Sequence, residues 1–580
     1  MDYDPRKPFA ERVAALPRLG VGVSTEFGAG RDGLDVVALR RARPELVRFL
    51  EIGVDLERGV DAAARAWLRQ GWPTTYHFLD ANLEEGDDLT PEWIDATAAL
   101  ARELGAAWLC GDAGLWHVGP RDRGHGTLLP PILTASSAAE MAANVRRLRE
   151  ASGFEVLPEN PPAHVYLGDL HLLAYFARVA EEADSGLLLD VAHLAIHQRA
   201  TGRAPLDGLD DFPLERVVEL HVAGGTEFAH GARRFVDDDH APEPLPDAWA
   251  ILDYVLPRAA NLRATVYECE RNRREQVIAN FERLARGWSA RAGVAARGRR
   301  PAERPRPERL DHRSLQRSLF RMQHDPGFAA RLRSGDAEAV ASTRLGAREL
   351  GWLRSADPDA VAADRGGRRA AQLLRNVASE FRLCARVGPR GDAAGAWVEA
   401  FPRSPLFHRA VSRDESLPLA FAAWAEALAK DAPSELFRAL VALEVEMARA
   451  RRELRPVASP GPGEVVLSAA AHLLELPAGT HAAAAALAGG AALGAAQVDS
   501  AAREVVLIAA DLRDDARFGR LRSVRVEPLA PRVAALLRLA RAPQGAAARR
   551  AFAQHHEVDA AELEAVVDDY VAEGVLRRGG

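Results

Sequence analysis

Lysine is nearly missing from this chain. Of 75 basic residues only Lys7 and Lys430 are lysine, so basic contacts fall almost wholly to arginine. That bias, with the richness in alanine, reflects nucleotide composition more plausibly than function. Cysteine is scarce as well. Cys110, Cys269 and Cys384 are widely spaced and offer neither a disulfide framework nor a CxxC site, which fits a reducing cytoplasm. No stretch of about 18 uncharged apolar residues reads as a membrane span. The Ala/Gly run at 481–496 comes nearest and is weakly apolar and broken by glycine. The opening MDYDPRKPFAERV lacks the apolar segment of a signal peptide. A net charge of -7 argues against non-specific nucleic-acid binding as the main role. No internal repeat of 20–50 residues stands out, and no histidine precedes His77.

What is present begins at that histidine. Ten of the 17 histidines fall between His77 and His240, a concentration that points to metal or acid/base chemistry in one part of the chain. The length of 580 residues suggests several domains. Up to about residue 285, short apolar runs alternate with helical patterns. The runs are VGVS (21–24), VRFLEIG (47–53), TTYHFLD (74–80), AAWLCGD (106–112), FEVLPEN (154–160), GLLLDVAH (186–193), VVELHVAG (217–224) and ATVYECE (264–270). Helices are expected over 91–105, 138–153 and 169–186, the last two closed by Gly153 and Gly186. About eight strand–helix units in this length predict a (β/α)₈ TIM barrel over 1–285. A doubly wound open sheet is less favoured, because no glycine-rich phosphate loop follows the first strand.

Residues 286–309 are rich in Arg, Pro, Gly and Ala and read as a linker. A mainly helical domain is expected over 310–455, and PVASPGPG (456–463) marks the next boundary. Residues 464–580 mix strands with two closing helices, an α+β pattern resembling a winged helix. The last helix places Leu563, Val566, Val567, Tyr570 and Val571 on one face.

A barrel keeps its chemistry at the C-terminal ends of its strands. Read in order, those ends carry His77, Asp112, Glu159 with Asn160, Asp190 with His193, Glu219 with His221, Asp238 with His240, and Glu268 with Glu270. Buried carboxylates and imidazoles need pairing or a metal, so so many at strand ends point to metal binding. Mixed nitrogen and oxygen ligation suits iron, manganese or zinc, and the cysteines are poor ligand candidates.

Two related families share this set of residues. One is the group of metal-dependent barrels similar to endonuclease IV and xylose isomerase. The closer resemblance is to the DUF692 family, the multinuclear non-heme iron-dependent oxidative enzymes (MNIO), which includes the methanobactin-biosynthesis oxidase. It covers roughly residues 18–285. The motifs are YHFLDANL, LPENPP, LLLDVAHLAI, VVELHVAGG, VDDDH and VYECE. This resemblance implies that His77, Glu159, Asn160, Asp190, His193, His221, Asp238, His240 and Glu268 line two or three irons of mixed Fe(II)/Fe(III) state. Glu159, Asp190 and Asp238 would take the catalytic roles, with dioxygen as co-substrate. The family usually has a histidine where Ala113 stands here, and Asp112 or His117 are the candidates to replace it. His125 is a more distant one.

By the same resemblance the reaction is oxidation of a Cys, Asp or Asn residue in a ribosomally made precursor peptide, in the cytoplasm, with no membrane or nucleic-acid partner. Such enzymes usually act with a partner protein that presents the peptide. Residues 368–387 with 404–428 resemble the helical partner domains of the DUF2063-like kind, and the C-terminal segment resembles a PqqD-like element that binds leader peptides by strand addition. The second half would then capture the peptide in cis. A metal-dependent hydrolase or isomerase is the alternative activity. A peptide-binding protein whose barrel has lost a metal site is the non-enzymatic one, and Ala113 is its only direct support.

Overall fold

The computed structural model describes residues 3–26, 28, 32–57, 59–122, 125–291, 310–366, 368–391, 395–512 and 521–580. They divide into two compact units, Met1–Val118 with His125–Leu373, and Gly119–Gly124 with Leu374–Gly580.

The first unit is built on β1 (Gly20–Ser24), β2 (Phe49–Val54), β3 (Thr74–Phe78), β4 (Ala106–Asp112), β5 (Leu115–His117), β6 (His125–Leu129), β7 (Val156–Glu159), β8 (Leu187–Asp190), β9 (Val217–His230), β10 (Arg233–Ala241) and β11 (Ala264–Glu268). Eight of these pair in parallel in the order β1–β2–β3–β4–β7–β8–β9–β11, and β11 returns to β1. This is the closed (β/α)₈ barrel expected from the sequence. Its strands are buried on both faces, which is why they read as continuous apolar runs. Two antiparallel hairpins depart from the pattern. β5 and β6 form one after β4. In the other, β9 runs on past the barrel rim and folds back through β10.

Local sequence sets the helix ends. Pro91–Leu104 starts on the Thr90 hydroxyl with proline in its first turn, and stops at Gly105, whose φ of 63° is open to glycine at no steric cost. Gly153 closes Ala135–Ser152 in the same way. Leu172–Ala183 stops earlier than Gly186: Asp184 takes the left-handed cap at φ 48°, and its carboxylate is held by Phe9 N and Arg216. The floor of the barrel carries a plug that strand patterning did not anticipate. The short helix Phe9–Ala15 packs Phe9 and Val13 against Phe49, Trp108, Leu157 and Val218. Within it, Arg12 is buried against an equally buried Glu155, which also accepts from the Tyr3 hydroxyl.

Five helices follow in the same unit: His312–His324, Pro326–Ser334, Ala337–Thr343, Ala347–Ser355 and Pro358–Gly366. Leu315, Leu319, Met322 and Phe328 share one core with Ile132, Val165, Leu167 and Phe235 of the barrel's upper loops and hairpin. The structure therefore divides the chain at 373/374, inside the 310–455 stretch that sequence patterning treats as one helical domain. The physical reason is this shared core, whose apolar positions lie far apart in sequence. Residues 292–309 of the expected linker lie outside the described residues, and its first residues continue the helix Arg274–Ala290.

The second unit starts helical, with Leu417–Lys430 against Glu435–Arg452 and an aromatic core in which Trp397 stacks on Trp424 at 5.2 Å. Beyond it lie β12 (Val465–Leu467), β13 (Ala471–Ala478), β14 (Asp499–Ala510), β15 (Val524–Leu529) and β16 (Leu576–Arg578). β13, β14 and β15 form an antiparallel sheet, and β12 pairs with β16. Three helices, not two, close the chain: Pro531–Leu539, Ala546–His555 and Ala560–Ala572. Leu563 and Val567 are buried in their common core, with Val566, Tyr570 and Val571 packed at its edge. Among the described residues no helix is long and apolar enough to cross a membrane.

Candidate metal centre

Strand register gathers the candidate residues. Parallel pairing sets Asp112 beside Glu159, and Asp190 beside His221. His77 and Glu268 point in from the ends of β3 and β11. Asp238 and His240 come from β10, which lies outside the closed sheet. Five groups of three result, each with ligand atoms within 4.8 Å of one another. They are His77–Asp112–Glu159, Glu159–Asp190–His193, Asp190–His221–Glu268, Glu26–His240–Glu268 and Glu51–Glu219–His221. Glu159, Asp190, His221 and Glu268 each belong to two groups, so the set forms one continuous centre.

Each histidine has one ring nitrogen held by a neighbour. His193 Nδ1 lies 2.8 Å from the Asn160 carbonyl and so donates to it, which leaves Nε2 facing Asp190 and Asp238. His240 Nδ1 is held by both oxygens of Glu270, at 3.1 and 3.2 Å, and Nε2 points toward Glu268. His221 Nε2 rests on Glu51, and Nδ1 faces Glu159 and Glu268 at 3.4 and 3.3 Å. His77 Nε2 contacts Glu159 at 2.8 Å. His240 also sits at φ 53°, a left-handed backbone that few non-glycine residues adopt.

These groups fit cations. Glu159 Oε1, Asp190 Oδ2, His193 Nε2, His221 Nδ1 and Glu268 Oε2 are buried without a hydrogen-bond partner. Such atoms are costly unless something pairs with them. Among the described residues, every ion pair of Glu159, Asp190 and Glu268 is with a histidine. The protonation balance reflects the same demand. Burial opposes the charged form of His77, but Glu159 and Glu51 outweigh it and raise its pKa to about 10. Burial likewise opposes a charged His240, and Glu268 and Glu270 lift it to about 10. Burial pushes Glu268 up to about 7 against the pull of His240 and His221. In the metal-free protein the imidazoles thus carry the positive charge that bound cations would supply.

Most sequence candidates converge here. Asp238 belongs to none of the five groups, although it lies 3.4 Å from His193 Nε2, and two others do not act as expected. Asn160 spends both ends of its amide on the Asp190 backbone, donating to its carbonyl and accepting from its N–H, each at 3.0 Å. It positions a ligand and is not itself aimed into the centre. His117 pairs with Asp88 at 3.2 Å and lies in none of the groups, whereas Asp112 stands with His77 and Glu159. Of these two, Asp112 is the one that stands among the ligand groups. On this arrangement Asp112→Ala is expected to strip at least one metal equivalent and His117→Ala none, as read by metal analysis of the purified proteins.

Glu26 and Glu51 are additions. Gly53 makes room for the first, since a Cβ there would lie 2.9 Å from Glu26 Cα. Glu51 sits lower, where it accepts from Cys110 and holds His221. Deeper still, Glu219 accepts from Trp108 Nε1 at 2.6 Å, and burial with the neighbouring Glu51 charge pushes its pKa to about 8. The strand-end rule applied to VGVSTE would have found Glu26. Glu51 is hidden in the middle of an apolar run.

Other histidines sit farther out. His171 caps a helix through Leu173 N, and His197 packs edge-on against Tyr166 and His171. His230 ends β9. The side chain of His125 lies outside the described residues. His164 lines a cavity of about 70 Å³ together with Leu128, Pro162, Asp238, Phe320 and Gln323. Asp238 links that cavity to the metal groups.

A closed parallel barrel with a carboxylate–imidazole centre at the C-terminal ends of its strands is a metal-dependent TIM-barrel protein. More narrowly, residues 33–286 match the model of the family described as RiPP precursor modification enzyme MbnB/TglH/ChrH. Similar proteins include a UPF0276 protein of Rhizobium meliloti, 26% identical over 201 residues, or 34% of this chain and 64% of that protein. Another, from Caulobacter vibrioides, is 26% identical over 247 residues, or 42% of this chain and 85% of that protein. The match thus spans less than two thirds of the Rhizobium protein and leaves the second half of this chain uncovered. Among solved structures, endonuclease IV from Thermus thermophilus is 20% identical, with a TM-score of 0.30 over 48% of this chain and 100% of that one. The 3-keto-D-glucoside 4-epimerase of E. coli is 16% identical, with a TM-score of 0.30 over 47% of this chain and 100% of that one.

Proposed function

We propose that the protein carries out iron- and dioxygen-dependent oxidation of a Cys, Asp or Asn residue in a ribosomally made precursor peptide in the cytoplasm. The supporting observation is the run of ligand groups joined through Glu159, Asp190 and Glu268, which suits two or three neighbouring cations. Bound iron would supply one-electron and dioxygen chemistry. The chain's own residues do the rest. Glu159, Asp190 and Glu268 balance the charge of adjacent cations. Asn160, Glu51 and Glu270 orient His193, His221 and His240 so that one nitrogen of each faces inward. Asp238 lies both beside His193, at 3.4 Å, and in the wall of the cavity of about 70 Å³. The second unit, with its three-stranded sheet and closing helices, is the part assigned to capture of the precursor.

The test uses full-length protein purified without oxygen and loaded with Fe(II), mixed with the short peptides encoded beside its gene. Oxygen uptake coupled to a mass change in one peptide is the expected result. Zinc-supported turnover of a sugar or nucleic acid without oxygen would overturn the reading in favour of a hydrolase or isomerase.

A further inference from the structure

The five helices of 310–366 share a core with the barrel, and one polar contact ties them to the metal centre. His164 lies five residues beyond Glu159 on the same segment. Its Nδ1 is 2.6 Å from Asp364 Oδ1, on the helix Pro358–Gly366, and its Nε2 is 2.9 Å from the carbonyl of Val236 on β10. Neither partner offers a proton to the ring: one is a carboxylate and the other a backbone carbonyl. Both ring nitrogens therefore donate, and the ring is an imidazolium. Asp364 is fixed in turn, since the His164 backbone N–H and Gln323 Nε2 donate to it at 3.1 and 3.2 Å. Phe228 and Phe235 of the β9–β10 hairpin flank the ring at 6.0 and 5.1 Å. One half-buried cation thus joins three segments: the loop after β7, the hairpin strand and a helix that follows the barrel in sequence. Val236 lies two residues before Asp238 and four before His240.

We propose that His164 and Asp364 are positioning residues for the metal centre: Asp364 holds His164, and His164 holds the strand that presents Asp238 and His240. Seven ligand-bearing strands are locked by the barrel's own pairing. Among the described residues β10 pairs only with β9, and its register with β9 is irregular between Asp237 and Ala241. The segment after β11 holds His240, through Glu270 and through Asn272 Nδ2, which donates to the His240 carbonyl at 2.6 Å, and the helices appended to the barrel add support upstream of Asp238, at Val236. This inference rests on the reading of the site as a metal centre.

The experiment follows zinc release to a coloured chelator from zinc-loaded, full-length protein. In Asp364→Ala and in His164→Gln, one equivalent is expected to leave about 10-fold faster, the lower end of what outer-shell partners contribute, with the remaining equivalents unchanged. Asp364→Glu should restore part of the effect. Asp364→Asn keeps the size and an acceptor for Gln323, and stands in if the alanine variant does not fold. Arg313→Ala breaks a different link of these helices to the barrel, the pair with Glu85 at 2.6 Å, and should leave release unaltered. Equal acceleration of every equivalent, unchanged release in the Asp364 variants, or the same effect from Arg313→Ala overturns the assignment. If the unsubstituted protein binds no zinc, the metal-centre reading falls and this inference with it.

Discussion

Replacing Glu268 with alanine is expected to cost more than one bound metal ion, and replacing His240 only one. Glu268 belongs to the group with Asp190 and His221 and to the group with Glu26 and His240, whereas His240 belongs to the second alone. A shared carboxylate serves two cations, so its loss both removes a ligand from each site and leaves the neighbouring positive charges unbalanced. Glu159→Ala should behave like Glu268→Ala, since it also lies in two groups. Metal content after anaerobic reconstitution, normalised to folded protein, is the measurement. Equal losses in Glu268→Ala and His240→Ala would contradict a shared ligand. Because none of the strands changes its pairing, the thermal midpoint of the metal-free protein should move little. The metal-loaded midpoint should fall, since a bound ion stabilises the folded state by mass action.

The second large effect lies at the opposite end of the barrel. Arg12→Ala is expected to destabilise the first unit by about 3–5 kcal/mol, the usual cost of removing one partner from a buried ion pair. Arg12 and Glu155 have side chains 1% and 0% exposed, and Glu155 is left with the Tyr3 hydroxyl and Gly186 N–H as partners when the guanidinium is gone. Those neutral donors do not replace the guanidinium in contact with the carboxylate, and Arg149 remains as a nearby cation without a hydrogen bond to Glu155 among the described residues. Arg12→Leu combined with Glu155→Leu should recover much of the loss, because the double change removes the uncompensated charge along with the pair. Calorimetric unfolding of the single and double variants decides it: a double variant no more stable than Arg12→Ala would show that the guanidinium's contacts to backbone carbonyls carry the energy instead.

The barrel was readable because parallel strands covered on both faces leave uninterrupted apolar runs, and because a polar residue at the end of such a run has few reasons to be there except the site. His77, Asp112, Glu159, Asp190, His221 and Glu268 announced themselves in that way. Glu51 did not, since it lies inside the run FLEIG and its partners come from other strands. Asn160 was visible as a residue and misleading as a role: only coordinates reveal an amide turned back onto the chain at Asp190. The plug helix of Phe9–Ala15 was obscure because seven residues carry too little periodicity to betray which surface they cover. The division at 373/374 was hidden for a related reason. Helices that complete a barrel's upper core look, in sequence, like helices of a separate domain.

The left-handed backbone at His240 restricts how this centre can change over time. Histidine, asparagine, aspartate and glycine are the residues that settle most readily at such a φ. Glycine would discard the ligand. Asparagine or aspartate would keep the backbone and exchange an imidazole nitrogen for an oxygen, which moves the preference of the Glu26–Glu268 corner from iron or zinc toward manganese or magnesium. The conformation of one residue thereby narrows the descendants of this chain to two kinds at that corner: those that keep the nitrogen and its metal, and those that take up a harder one.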